Sequence, residues 1–145
     1  TPDGALLVGF HAGGGLHRVA GSTVTPLLAE TEAGHLSIER MAFDGRGGLW
    51  IGSPDGVRQL RDGHLGPPRA GPSGGMTALA VDRHGDAWVG TSEGLWRVTL
   101  TDVVAVVRGR PTRGLVTRPQ SVVALLGDEV YELTGPQLPV RPLFS

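Results

Sequence analysis

Cysteine, lysine and asparagine are absent from this 145-residue chain. Without cysteine there is no disulfide staple, no thiolate metal site and no thiol nucleophile. Without lysine, all 13 basic side chains are arginine, and they are scattered along the chain. That bias reads as the mark of a GC-rich genome and not as an arginine-specific site. An excess of one charge is also lacking: 13 basic residues stand against 14 acidic ones, a formal net charge of −1. Nucleic acid and an anionic membrane surface therefore have no electrostatic footprint here. No apolar run approaches the roughly 18 residues of a membrane span, so no membrane insertion is expected. The N-terminal Thr1-Pro2-Asp3-Gly4 is neither basic nor followed by a signal-like core, so a targeting segment is expected to have been removed or never present. No segment carries a helical period of adequate length.

Glycine and proline are what the chain has in plenty, at 24 and 11 residues. They follow no three-residue period, which excludes collagen, and instead punctuate short apolar runs. That is the pattern of an all-β protein rich in tight turns. With 39% hydrophobic residues and almost no net charge, global disorder is excluded.

The main signal is an internal repeat. Met41-Ala42-Phe43-Asp44-Gly45-Arg46-Gly47-Gly48-Leu49-Trp50-Ile51-Gly52 matches Leu79-Ala80-Val81-Asp82-Arg83-His84-Gly85-Asp86-Ala87-Trp88-Val89-Gly90. Asp44/Asp82, Gly47/Gly85, Trp50/Trp88, Gly52/Gly90 and Gly56/Gly94 recur at a spacing of 38. A period near 40 is the size of one four-stranded β-propeller blade. The apolar run is a first strand. Asp-x-x-Gly is a tight turn, in which Asp accepts backbone N–H groups and Gly takes positive φ. Trp-apolar-Gly is the second strand, its ring filling the space between blades. A second Gly turn leads to a third strand, Val57-Arg58-Gln59-Leu60 or Leu95-Trp96-Arg97-Val98. A weaker copy runs from Leu6-Leu7-Val8-Gly9 to Gly15-Leu16-His17-Arg18-Val19. A degenerate one holds Ser121 to Leu126 and Glu129 to Leu133, with Tyr131 in the place of Trp96. Thr23 to Leu28, the region of Leu65, Val103 to Val107 and Leu138 to Leu143 are candidate outer strands; Pro139 and Pro142 suit an edge.

The chain thus reads as a single β-propeller or partial propeller over 1–145, of about four blades of four antiparallel strands, near 1–28, 37–68, 76–107 and 113–143. Connections between blades are expected near 29–36, 66–75 and 109–113. The first blade lacks its innermost strand, since Thr1 stands where Asp44 stands in the second copy. Three arrangements are open: a closed four-bladed ring, a larger ring completed by a second copy or another propeller chain, or a piece of a longer propeller. An open array exposes strand edges and an apolar blade face, so some completion is required.

The strings from Phe43 to Ser53 and from Val81 to Thr91, each followed by Gly-Val or Gly-Leu, resemble the two-component regulator propeller repeat: apolar-x-x-Asp-x-x-Gly-x-apolar-Trp-apolar-Gly-Thr, then Gly-Leu. The resemblance spans most of the chain, well in two copies, partly in one and poorly in one. It implies a bacterial propeller, often periplasmic or extracellular, of the kind found in sensor halves of hybrid histidine kinases and in scaffolds. A ligand such as an oligosaccharide, or a protein partner, goes with that role. The repeat residues are structural in the family, so no functional residue carries over.

Candidate chemistry is thin. Gly71-Pro72-Ser73-Gly74-Gly75 spells a nucleophile elbow, but it follows Pro67-Pro68 and precedes a strand, whereas an elbow joins a strand to a helix. It reads as an inter-blade loop. His11, His17, His35, His64 and His84 form no metal-binding pair by spacing. His84 is expected exposed within its turn. Asp82 to Asp86 lacks the alternating oxygen ligands of a calcium loop. Glu30 with Glu32, and Asp128 with Glu129, read as solvated charge. Trp50 and Trp88 read as packing residues, whereas Trp96 can lie at a surface. No catalytic residue, metal or cofactor is expected. Propeller ligands gather where second strands turn into third strands and where blades connect. That places a candidate polar binding surface on His11, Asp55, Ser92, Glu93 and Asp128, with Glu32, Arg69 and Arg110 from the connections. The first expectation is a non-catalytic binding module of a sensor or scaffold. The alternatives are a propeller enzyme, lyase or glycosidase-like, and a self-assembling half-propeller.

Overall fold

The short apolar runs between glycine turns become strands, and the turns explain where each one stops. At the first Asp turn, Asp44 Oδ1 accepts the backbone N–H groups of Arg46 and Gly48, both at 2.8 Å. Gly45 and Gly47 take φ of 72° and 86°, which a side chain would resist. The second copy repeats the device: Asp82 Oδ1 accepts from His84 and Asp86 at 2.8 and 3.2 Å, and Gly85 lies at φ 85°. The aspartate thus satisfies turn donors that no strand partner can reach.

A computed structural model describes residues 1, 3–10, 15–28, 36–69, 72, 74–134 and, for the backbone, 141–144. The strands are β1 (Leu6–Gly9), β2 (Leu16–Ala20), β3 (Thr23–Leu28), β4 (Arg40–Phe43), β5 (Gly48–Ser53), β6 (Gly56–Arg61), β7 (His64–Leu65), β8 (Met76–Val81), β9 (Ala87–Thr91), β10 (Gly94–Val98), β11 (Val103–Arg108), β12 (Thr112–Thr117), β13 (Val122–Leu126), β14 (Glu129–Leu133) and β15 (Arg141–Phe144). They form four antiparallel sheets in chain order, β1 to β3, β4 to β7, β8 to β11 and β12 to β15, each a simple meander. Among the described residues there is no helix. The architecture is all-β and propeller-type, and the first sheet has three strands where the others have four.

The repeat glycine of the second strand has a packing reason. A Cβ on Gly9 would lie 2.8 Å from Ile38 Cγ2, on Gly52 2.2 Å from Met76 Sδ, and on Gly90 2.5 Å from Thr112 Cγ2. In each case the chain entering the next sheet crosses over the glycine. Three buried clusters record the same stacking. Leu16, Leu28, Ile38, Leu49 and Ile51 join the first and second sheets. Trp50, Val57, Val89, Trp96 and Val98 join the second and third. Trp88, Leu95, Val122, Ala124, Leu126 and Leu133 join the third and fourth. Each fully buried large side chain contributes about 1.5–3 kcal/mol relative to exposure. Among the described residues no cluster joins the fourth sheet to the first.

Two expectations change. Trp96 is buried, 4% exposed, within the second-to-third-sheet cluster, and does not lie at a surface. A connection was expected over 109–113, but β12 begins at Thr112. Thr112 is fully buried, its hydroxyl donating to Gly94 C=O at 2.8 Å. The string Thr112-Arg113-Gly114-Leu115-Val116-Thr117 hid its strand because Gly114 interrupts the alternation and no Asp-Gly turn follows. The candidate outer strands 23–28, 103–107 and the region of Leu65 are found as β3, β11 and β7. Of the stretch 138–143, residues 138–140 lie outside the described residues.

Candidate functional site

Each meander presents two ends. One carries the turns between second and third strands, where the polar binding surface was expected. There, Asp55 is exposed in the turn between β5 and β6. Ser92 is held by Gly75: its N–H donates to the Gly75 carbonyl at 3.0 Å and its Oγ accepts the Gly75 N–H at 3.2 Å. Ser92 and Glu93 line a shallow cleft of about 390 Å³ with Trp96 and Arg108. Asp128 is exposed and pairs with Arg113 at 3.1 Å. Arg69 pairs its backbone with Val57, and its guanidinium donates to the Leu100 carbonyl. Arg110 donates to Glu129 at 2.8 Å and to the Tyr131 hydroxyl. The Tyr131 hydroxyl, and then Arg110, hold the Glu129 carboxyl below its ordinary range, and Glu129 raises Arg110 in turn. His11, Glu32, Glu30 and His35 lie outside the described residues, as do Gly71 and Ser73 of the elbow-like string. Gly75 is followed by β8, a strand.

The other end carries the Asp turns, and here the repeat breaks. In the second sheet Asp44 is buried, its Oδ2 accepting from Gln59 at 3.1 Å and from Arg61. The Trp50 indole N–H donates across the sheet boundary to the Gly85 carbonyl at 2.9 Å. The third sheet does not repeat that bridge. Five residues lie between the paired strand ends Val81 and Ala87, as between Phe43 and Leu49, but only four lie between Thr117 and Val122. The short turn, Arg118-Pro119-Gln120-Ser121, has neither Asp nor Gly, and closes with Arg118 N–H donating to Ser121 C=O at 2.8 Å. The Trp88 indole donates instead to Asp82 Oδ2 of its own sheet, at 2.9 Å.

A cleft of about 460 Å³ opens where the bridge is missing. Its floor includes Trp88, Val122 and Leu133, and its wall Pro119. Its polar rim is Asp82, Arg83, His84, Arg97 and Arg118. Arg97 is pinned, 2.5 Å from Asp86 and 4.0 Å from Asp82, with its guanidinium 5.7 Å over the Trp88 ring. Arg83 donates Nε–H to His84 Nε2 at 3.2 Å and forms no ion pair among the described residues. Arg118 is 59% exposed and only loosely paired, 3.8 Å from Glu132 Oε1. Glu132 also accepts from the Ser121 hydroxyl at 2.7 Å. His84 is exposed, as its turn position predicts. Among the described residues no three His, Asp or Glu side chains converge as a metal would require.

The sequence reading missed this cleft. A signal for it was present: the fourth copy's turn is one residue short and lacks the residues that the second and third copies share.

No family model matches the chain, and no curated protein matches it by sequence. Solved structures do. It superposes with a TM-score of 0.70 on virginiamycin B lyase from Staphylococcus aureus, solved in a catalytically inactive form with quinupristin, at 9% identity, covering 97% of this chain and 52% of the lyase. The extracellular domain of a hybrid two-component system from B. thetaiotaomicron matches at TM-score 0.63 and 19% identity, over 88% of this chain and 19% of that one. A gluconolactonase from Xanthomonas campestris matches at TM-score 0.57 and 19% identity, over 84% of this chain and 44% of the other. This chain has the β-propeller fold. It spans about half the length of the lyase and of the gluconolactonase, and about a fifth of the two-component chain.

Proposed function

We propose that this module binds a small ligand without transforming it, as part of a bacterial envelope or signalling protein, and that the ligand sits in the cleft between the third and fourth sheets. The observation that carries the reading is the broken bridge: Trp50 seals one sheet boundary through Gly85, whereas Trp88 turns inward and leaves a lined cavity. Clefts of this size with an apolar floor and a few convergent polar groups are the usual form of a small-molecule site. The repeat resemblance and the two-component neighbour support a sensor placement, periplasmic or extracellular. The lyase and gluconolactonase neighbours support the alternative of a propeller enzyme. Incubation with a bound ligand separates the two: the binding module returns it unchanged, and an enzyme turns it over. Screening polar metabolites and oligosaccharides by tryptophan fluorescence is expected to give saturable binding that Arg118→Gln weakens. Binding lost instead in Asp55→Ala with Glu93→Ala would move the site to the opposite end.

We also propose that a second copy of the chain completes the ring. The open face of the fourth sheet carries Val116, 61% exposed, beside the half-buried Val123, Leu125 and Val130. A folded chain running in solution at about twice its 15.1 kDa mass supports this. A folded monomer overturns it, and leaves another propeller chain as the partner.

A further inference from the structure

We infer that the ligand of the cleft is a compact organic monocarboxylate: one carboxylate on a small apolar body. This rests on the reading of the cleft as a binding site and adds the chemistry it selects. Two cations on its rim lack a hydrogen-bonded carboxylate. Arg83 makes no ion pair among the described residues, and Arg118 stands 3.8 Å from Glu132. A guanidinium matches a planar carboxylate with two parallel N–H donors, and the charge-assisted bonds are stronger than neutral ones. Most of the other polar groups are engaged: Asp82 accepts from two backbone N–H groups and from Trp88, Arg97 is bound to Asp86, and Ser121 donates to Glu132, which leaves the Gln120 amide to reach a neutral part of the ligand.

The rest of the lining decides what hangs from the carboxylate. The exposed Pro119 is the main apolar contact, beside the nearly buried Val122 and Leu133, and none of the three has a donor for hydroxyl groups. Trp88 cannot serve as a sugar platform, because it is 3% exposed and Arg97 lies over its ring. A saccharide would bring several hydroxyls to a cleft whose one uncommitted amide is Gln120, and a flat face with no free ring to stack on. A phosphate dianion is disfavoured by Asp82 and Asp86 in the adjoining turn, which repel a second negative charge.

The test is titration of the 145-residue chain, followed by tryptophan fluorescence and calorimetry, with benzoate and cyclohexanecarboxylate. Matched comparisons are benzamide, phenyl phosphate, glucose and glucuronate. The carboxylates are expected to bind saturably at one site per chain, with benzamide at least about tenfold weaker. Arg118→Gln, at an exposed position, and Arg83→Gln should each weaken the carboxylates by a similar factor without changing benzamide. Raising salt should weaken binding in parallel. Equal affinity for benzoate and benzamide, or indifference to both arginine changes, overturns the inference. Tighter binding of glucose, glucuronate or phenyl phosphate at the arginine-sensitive site also overturns it while the binding-module reading stands. Absence of any binding to the cleft, by these probes and by the wider screen, defeats both.

Discussion

The Trp88 indole donates to the Asp82 carboxylate within its own sheet at 2.9 Å, although its repeat counterpart Trp50 reaches across to the next sheet. One aspartate therefore closes a turn through Oδ1 and fixes a tryptophan through Oδ2. Replacing Asp82 by Ala leaves two backbone donors and the indole without their acceptor. A loss of about 2–4 kcal/mol in urea unfolding is expected, since unmatched buried donors cost about 1–3 kcal/mol each and water will reach some of them. Asp128→Ala, at an exposed pair, should change stability by less than about 0.5 kcal/mol. Equal effects of the two changes would contradict the assignment of Asp82.

Gly90 and Thr112 form a second testable pair. A Cβ on Gly90 would meet Thr112 Cγ2 at 2.5 Å, so Gly90→Ala should cost about 1–3 kcal/mol through overpacking. Thr112→Ser removes that methyl and keeps the hydroxyl that donates to Gly94. The Thr112 Cβ would still lie 2.7 Å away, so the double variant should recover only part of the loss, giving a measurable coupling energy in a double-mutant cycle. Additive effects would mean that the two sheets do not meet there.

Acid should expose the Arg110–Glu129–Tyr131 cluster. The Glu129 carboxyl is held below its ordinary value of 4.5, so its pairing favours the folded chain fully above that value. The contribution is lost as pH falls further, through the lowered folded value. The stability gap between the wild-type chain and Glu129→Gln should be constant from neutral pH down to about 4.5 and then shrink. A gap that widens on acidification would reverse the sign. The cluster is at the surface, so high salt should narrow the gap at every pH.

The fold was legible because its determinants are local and repeated. Asp44 and Asp82 mark identical turns, and Gly52 and Gly90 mark identical crossings by the next sheet. The fourth sheet was half legible: Val122 to Leu126 alternate cleanly, but Thr112 to Thr117 carry a glycine and lack the turn that announces the next strand. The cleft was not legible from any motif, because an omission creates it. The fourth copy's turn is one residue short, and Trp88 bonds to Asp82 of its own sheet, a consequence that only the neighbouring sheet reveals. The exposed loop residues named from the sequence lie at the opposite end, where Ser92 is bonded to Gly75 and Arg69 to Leu100.

Restoring the repeat is the most direct test. Replacing residues 118–121 with the five-residue Asp82–Asp86 turn gives the fourth sheet the turn to which Trp50 bonds in the third. Trp88 should then bridge the sheets as Trp50 does, and binding at the cleft should be lost while the protein stays folded, with Trp emission reporting both. A folded graft that binds its ligand as tightly as the wild-type chain would contradict the claim that the broken repeat makes the site.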